Sequence, residues 1–367
     1  MRPLEGFRVG VTTGRRATEQ LDHLEQQGAS VMHAPTERTV LADPAELRDA
    51  TLSLISAPPD LLVASSAVGI RSWLTHATSW GLDEAVRTSL RETRILSIGH
   101  DTTGELVAAG LDPVLRAEAD MTSTAEMLRR ECSSRRHVVL QLDDEDSTEL
   151  AKVLADAGAA VETLATYRRT LPDDHAPAHA LVRSVTSGRV HAVTFTTSAA
   201  VTGLIDLATE IDQRDALLGS LRDGVVAACV GPQAAAAVRA HGVDPLVPHL
   251  PRVAYLLRDL GTELVASRRT LVARGSRVVA QGDLVLVDGD AVQLSDRERA
   301  VFDLFVRNCG MVLSKEEILR TLWNGQRSGE HLVEVTVARL RERLGPSFAG
   351  AIVAVRRRGY RLDARLR

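Results

Sequence analysis

Two stretches of this chain repeat each other, and the repeat restricts its fold more than any other feature. Leu62-Val63-Ala64-Ser65-Ser66-Ala67-Val68-Gly69 aligns with Thr194-Phe195-Thr196-Thr197-Ser198-Ala199-Ala200-Val201 at an offset of 132. The same offset, without a gap, carries Ile98-Gly99 onto Val230-Gly231 and Gly110-Leu111-Asp112-Pro113 onto Gly242-Val243-Asp244-Pro245. A second match at offset 130 joins Glu19-Gln20-Leu21 through Val31 to Glu149-Leu150-Ala151 through Val161. Two copies of one unit within the first 260 residues account for both.

Each copy alternates short apolar runs with helical spacing. Phe7 to Thr12 reads as a strand, Thr18 to Gln27 as a helix carried by Leu21 and Leu24 and ended by Gly28, and Ala29 to Ala34 as the next strand. His137 to Leu142, Glu149 to Ala157 and Ala160 to Ala165 repeat that pattern, and Leu61 to Ala64, Arg94 to Ile98, Ala192 to Thr196 and Val225 to Val230 supply further strands. Buried strands alternating with helices imply an α/β fold of parallel sheets with helices on both faces. Such sheets bind ligands at the carboxyl ends of their strands. Those ends carry Ser65, Ser66, Gly99, Thr196, Thr197, Ser198 and Gly231. Hydroxyls and glycines leading into helices suit a small anion, through backbone N–H groups and the helix dipole; the same residues also serve as plain helix caps. Both readings stay open here.

A length of 367 residues calls for two or three compact units, and 44% hydrophobic with 25% charged residues excludes wholesale disorder. Cys132, Cys229 and Cys309 lie far apart, in no metal-type spacing with histidine. No metal site is therefore expected, and a reduced compartment is. No apolar run approaches the ~20 residues of a membrane span and the first residues lack a signal-peptide core, so a soluble, cytoplasmic protein with no membrane partner is expected. The net charge of −4 hides an asymmetry: residues 268–367 hold 19 basic and 12 acidic side chains, net +7, and the remainder is net −11. A basic end on an acidic body points to a polyanion partner for that end alone.

The sequence changes character after Ser267. Thr270 to Ala273, Arg277 to Ala280, Leu284 to Val287 and Ala291 to Leu294 read as an antiparallel meander. Ser295-Asp296-Arg297-Glu298 and Ser314-Lys315-Glu316-Glu317 are capping boxes that start two helices. A third helix runs from about Glu330 to Leu344, where Gly345-Pro346 stops it, with Val333, Val337, Leu340 and Leu344 on its inner stripe. Ala351 to Val355 and Tyr360 to Leu362 flank the turn Arg356-Arg357-Arg358-Gly359. A helix with an apolar back and guanidinium groups elsewhere can lie in a major groove, and a basic hairpin can reach the adjacent minor groove or backbone. The acidic run Asp143-Asp144-Glu145-Asp146 follows the wrong strand of the repeat for a phospho-receiver pocket and reads as a solvated loop.

Two resemblances follow from these residues. Ser65 to Ile70, Ile98-Gly99 to Thr102, Thr166-Tyr167-Arg168, Phe195 to Ser198 and Val230-Gly231-Pro232 resemble uroporphyrinogen-III synthase across about residues 4 to 262. The resemblance implies two α/β lobes joined by two extended linkers, lobe one holding about 1–37 plus 172–264 and lobe two about 38–171. It implies a cofactor-free cleft for a linear tetrapyrrole, with Thr102 among the ligand contacts and Tyr167 in the position of a tyrosine that helps the leaving hydroxyl. Gly231-Pro232-Gln233-Ala234-Ala235 lacks the hydroxyl usual there, Val68 replaces a frequent Asn, and His100-Asp101 adds charge. Those departures favour a ligand-sensing or interaction domain over an active synthase.

Residues 270–367 resemble the effector domain of OmpR/PhoB-type response regulators through Leu294 to Glu298, Gly310 to Ser314, Trp323, Val335 to Arg341 and Arg356 to Tyr360. The expected architecture is therefore a two-lobed synthase-like fold (1–264) followed by a C-terminal winged helix-turn-helix domain (265–367). By this resemblance Thr336, Arg339, Arg341 and Arg343 contact DNA from the recognition helix and Arg356 from the wing. His331, which stands where arginine is usual, and Arg357, Arg358 and Tyr360 complete the expected contact set, while Glu342 stands where a basic residue is common. The loop Asn324 to Gly329 faces RNA polymerase or another regulator, and the protein binds tandem double-stranded sites as a dimer. Similar fusions in actinobacteria accompany nitrate and nitrite assimilation genes. The expected function is sequence-specific transcription regulation, and the alternative is an active synthase that also binds DNA.

Overall fold

The structure is a computed structural model that describes residues 2–14, 17–117, 121–131, 136–142, 145–323 and 330–366. The chain opens with β1 (Arg8–Val11), α1 (Ala17–Gln26) and β2 (Ser30–His33), then leaves along β3 (Arg38–Leu41). It builds a second lobe from α2 (Pro44–Ser56), β4 (Leu61–Ala64), α3 (Ala67–Ser79), α4 (Asp83–Ser89), β5 (Arg94–Ile98) and α5 (His100–Ala108). That lobe continues with β6 (Leu115–Ala117), α6 (Met121–Glu131), β7 (His137–Leu142), α7 (Glu145–Asp156) and β8 (Ala160–Ala165). The chain returns along β9 (Tyr167–Thr170) and completes the first lobe with α8 (Ala176–Thr186), β10 (Ala192–Phe195), α9 (Ser198–Glu210), α10 (Arg214–Asp223), β11 (Val226–Cys229), α11 (Pro232–Arg239) and α12 (Val253–Ala266).

Both lobes carry parallel sheets of one topology. Their strand orders are β11-β10-β1-β2 and β6-β5-β4-β7-β8. The partner of β6 in lobe one is a single bridge, Ala228 to Leu246. The duplication is thus real but circularly permuted: the βαβ unit stands first in lobe one and last in lobe two. Its register also departs from the gapless 132-residue alignment. The caps of α3 and α9 are Ser66 and Thr197, 131 residues apart, whereas the caps of α5 and α11 are Gly99 and Gly231, 132 apart. One residue is inserted between the two pairs, so Ser66 matches Thr197 and not Ser198. The crossings β3 and β9 pair antiparallel, Leu41 opposite Tyr167 and Arg38 opposite Thr170.

Strands β4 and β10 are buried along their whole length, as strands covered by helices on both faces must be. Phe195, Val193 and Leu204 belong to the core on one side of the first sheet, and Phe7, Val9 and Leu257 to the core on the other. In lobe two Trp73 is fully buried and satisfies its indole N–H by donating to Thr51 Oγ1 at 3.0 Å.

α12 ends at Ala266, and Arg269 already begins the next sheet. Strands β12 (Arg269–Ala273), β13 (Ser276–Gln281), β14 (Leu284–Val287) and β15 (Asp290–Val292) form the meander. Then come α13 (Asp296–Arg307), β16 (Val312–Leu313), α14 (Lys315–Trp323), α15 (His331–Ala349), β17 (Ile352–Val355), β18 (Gly359–Leu362) and β19 (Arg365–Leu366). Both capping boxes form: Ser295 and Glu298 bond each other's backbone N–H, as do Ser314 and Glu317. Two strands of this domain escaped the sequence reading. β16 pairs with β18, and β19 closes the meander by pairing with β12. The third helix also differs, because Gly345 (φ 75°) breaks its path without ending it. A last turn beyond Pro346 sends Phe348 fully into the core. Among the described residues no helix is long and apolar enough to cross a membrane.

Candidate functional site

The carboxyl ends of the lobe-two strands are already internally bonded. Gln141, fully buried on β7, accepts through Oε1 from the backbone N–H groups of Ser65 (3.2 Å) and Ser66 (3.1 Å). Its amide nitrogen donates to Ser66 Oγ (3.3 Å) and Thr166 Oγ1 (3.2 Å). Ser66 Oγ caps α3 by accepting from Gly69 N–H at 3.1 Å, and Ser65 Oγ donates to the Gln141 carbonyl at 2.7 Å. Gly69 is what lets the Gln141 amide come this close, since a methyl group there would overlap it. Tyr167, the candidate catalytic residue, is 5% exposed, and its hydroxyl donates to Ser66 Oγ at 3.3 Å. It therefore ties the return crossing to the N-cap of α3. The expected anion-binding amides at 65 and 66 are held by a side-chain amide of the protein itself, which is the capping alternative carried further.

In lobe one Thr197 Oγ1 caps α9 by accepting from Ala200 N–H at 3.0 Å, Ser198 is buried and Thr196 half-buried. Gly99 and Gly231 start α5 and α11 without a side-chain cap. Gly99 needs its glycine, with φ 83°, and Thr102 behind it is buried. Cys229 ends β11; burial pushes its thiol up to about 12, so it is no nucleophile near neutral pH.

The winged helix orients its cations differently. Val333, Thr336, Val337, Leu340 and Leu344 of α15 are buried, while His331, Arg339, Glu342 and Arg343 are exposed. Arg356, Arg357 and Arg358 are all exposed at the wing tip between β17 and β18. The turn is shaped by positive φ at Arg357 (59°) and Gly359 (125°), and Gly359 abuts the Leu313 carbonyl, where a Cβ would not fit. Three of the expected contact residues are engaged within the domain itself. Thr336 faces the core and donates to the Leu332 carbonyl at 2.7 Å. Arg341 donates to the Ile352 carbonyl, 3.1 Å from Nε, and lies 5.7 Å over the ring of Tyr360. Tyr360 is itself buried. Arg341 and Tyr360 hold the helix to the wing, and Thr336 is bonded within the helix itself. Glu334 and Glu330 both bind the Lys315 ammonium, whose pKa the carboxylates hold above its usual value, Glu334 foremost; part of the acidity of this face is thereby neutralised. Asn324 to Gly329 and Asp143-Asp144 lie outside the described residues.

Residues 19–258 match the family described as "Uroporphyrinogen-III synthase HemD". The chain belongs to that family. Residues 289–362 match "Transcriptional regulatory protein, C terminal", the OmpR/PhoB-type DNA-binding domain. This family member is thus a DNA-binding regulatory protein fused to a synthase-like domain. It is 24% identical over 259 residues to the uncharacterized protein YjjA of Bacillus subtilis, covering 70% of this chain and 96% of that one. A mutant uroporphyrinogen III synthase from Thermus thermophilus superposes with a TM-score of 0.60 at 26% identity, over 71% of this chain and 98% of that one. The DNA-binding domain of Escherichia coli CadC is 22% identical, covers 27% of this chain and 94% of its own, and has a TM-score of 0.23.

In this family member the two parts are docked through a joint that sequence reasoning missed. Gly6 (φ 87°) and Gly282 (φ 52°) stack backbone on backbone, and a methyl group on either would overlap the other's neighbourhood. The Asp283 N–H donates to the Gly6 carbonyl at 2.6 Å. Buried Gln281 donates to the carbonyls of Pro3 (3.1 Å) and Glu5 (2.9 Å). Arg8 pairs with Asp283 at 3.8 Å. His191 Nδ1 accepts from Arg8 N–H at 3.0 Å, and its pKa is lowered, chiefly by burial, against the pull of Asp283. The visible signal was two Gly-containing turns, which mark any tight bend and name no partner.

Proposed function

We propose that this protein is a one-component transcription regulator whose synthase-like domain is the input and whose winged helix is the output. The observation that carries the reading is the set Arg339, Arg343, Arg356, Arg357 and Arg358, exposed on one helix and its wing while the neighbouring Arg341 is spent on packing. Guanidinium groups presented this way bind guanine edges bidentately and bind phosphates, with ~1–3 kcal/mol of base discrimination per good pair. The docked joint supports coupling, because a change in lobe one at Gly6 or Arg8 reaches β13 and β14 directly. The ligand class is a small anion or tetrapyrrole-like polycarboxylate, with α5 and α11 as the helix ends lacking side-chain caps. The protein acts in the cytoplasm, binds tandem sites as a dimer, and serves nitrate or nitrite assimilation.

Genome-wide footprinting tests the reading, naming operator and pathway together. Uniform binding to every duplex at physiological salt sinks it, since specific sites have to stand well above the salt-sensitive background. Thermal shift of the full chain with uroporphyrin, nitrate and nitrite tests the input role, and no response to any of them counts against the proposed ligand class. The second reading is an active synthase, favoured by the family match over residues 19–258. Formation of the III isomer from fresh hydroxymethylbilane, above the spontaneous background and lost in Tyr167→Phe, establishes it.

A further inference from the structure

Outside the cleft, the joint and the wing, one cluster of side chains has the chemistry of a ligand set. His175 stands at the N-cap of α8 and His179 lies one turn on, so their rings project from one side of the helix. Glu210 is the last residue of α9, 31 residues beyond His179, and packing of α9 on α8 brings it between them. Glu210 Oε2 lies 2.9 Å from His175 Nδ1 and 3.0 Å from His179 Nε2. The rings meet edge to face with centroids 5.9 Å apart. Among the described residues this is the one place where three such groups converge, every donor atom within 4.8 Å of the others.

We propose that His175, His179 and Glu210 form a binding site for a divalent transition cation of the zinc class. Tetrahedral coordination at ~2.0–2.1 Å separates ligand atoms by about 3.3 Å, so side-chain torsions alone can open the present spacing to fit. Two imidazoles and one carboxylate select a borderline metal; magnesium and calcium prefer oxygen cages and gain little from the nitrogens. Side-chain exposures of 32%, 19% and 38% leave the cluster open on its outer side, so a fourth position is left to water or an incoming ligand. The site also has a place in the architecture. His175 follows β9 by five residues, and α9 lies beside the lobe-one ends of both crossings, its Gly203 against the Thr36 carbonyl just before β3 and Leu171 just after β9. A bound cation fastens the return crossing to α9 at its entry into lobe one.

The test is calorimetric titration of chelator-treated, untagged full-length protein with zinc chloride, repeated with cobalt(II) for its visible d–d absorption. The expected result is one zinc per chain, tetrahedral cobalt absorption, and no comparable magnesium binding. His179→Gln and Glu210→Gln should each weaken zinc at least about tenfold while circular dichroism and DNA affinity stay unchanged, because ligand loss costs more than the 10–100-fold of an outer-shell change. Absence of stoichiometric zinc binding, or binding that survives both substitutions, overturns the proposal.

Discussion

The cleft end and the DNA end of this protein treat their polar groups in opposite ways. At the carboxyl ends of the lobe-two strands, Ser65, Ser66, Gln141, Thr166 and Tyr167 bond one another. On the recognition helix and wing, Arg339, Arg343 and Arg356 to Arg358 face outward, and only Arg341 is turned inward. A hydroxyl or amide buried without a partner costs about 1–3 kcal/mol, so the cleft's groups are driven to satisfy themselves when no ligand does. A guanidinium left in water costs nothing of the kind and stays available. The difference separates polar groups that are bonded within the protein from cations that remain exposed to a partner.

The comparison breaks most readily at the wing. Replacing Arg339 and Arg356 together with alanine should weaken specific footprinting more than about 100-fold with little change in Tm, each lost bidentate contact being worth ~1–3 kcal/mol. A large drop in Tm instead would show that these arginines belong to the scaffold. Next comes the joint. Gly282→Ala forces a Cβ against the Gly6 carbonyl at a left-handed φ and should cost about 1–3 kcal/mol, seen as separate melting transitions for the two domains. A single unchanged transition would mean the contact is not tight.

Arg341→Ala removes a charge-assisted bond to Ile352 and the stacking on Tyr360, and should lower stability by roughly 1–3 kcal/mol with DNA affinity falling only in proportion. Thr336→Val should leave operator affinity within about twofold, as its hydroxyl donates to the Leu332 carbonyl of its own helix; a loss comparable to Arg339→Ala would make it a base contact. The smallest effect is on pH. His191 is held neutral by burial, with Asp283 and Asp303 opposing and Arg299 reinforcing. Its folded pKa lies below the unfolded value of about 6.5, so the stability of the joint is present above that value and declines as pH falls through it. The Tm of His191→Gln should therefore depend less on acidification than that of the unaltered chain.

The repeat was legible at residue level because strands and caps recur in sequence, and Gly99 with Gly231 stood out as paired helix starts. Its one-residue slip at Ser66 and Thr197 was not, since Ser-Ser-Ala and Thr-Thr-Ser align equally well either way. Arg339 and Arg341 lie on opposite sides of the helix, and it is the Ile352 carbonyl and the Tyr360 ring, distant from the helix in sequence or across the wing, that take up the Arg341 side. His175-x-x-x-His179 was readable as a spacing, but Glu210 reaches it only through packing of α8 on α9.

Periodicity, capping residues and turn glycines are local quantities, written along the chain, and they determined the α/β repeat, the winged helix and the basic character of its end. Which polar groups are used up and which remain available depends on neighbours distant in sequence: Gln141 on Ser65 and Ser66, Gln281 on Pro3 and Glu5, Ile352 on Arg341. Burial makes each of those bonds obligatory, and burial is a property of the packed molecule alone.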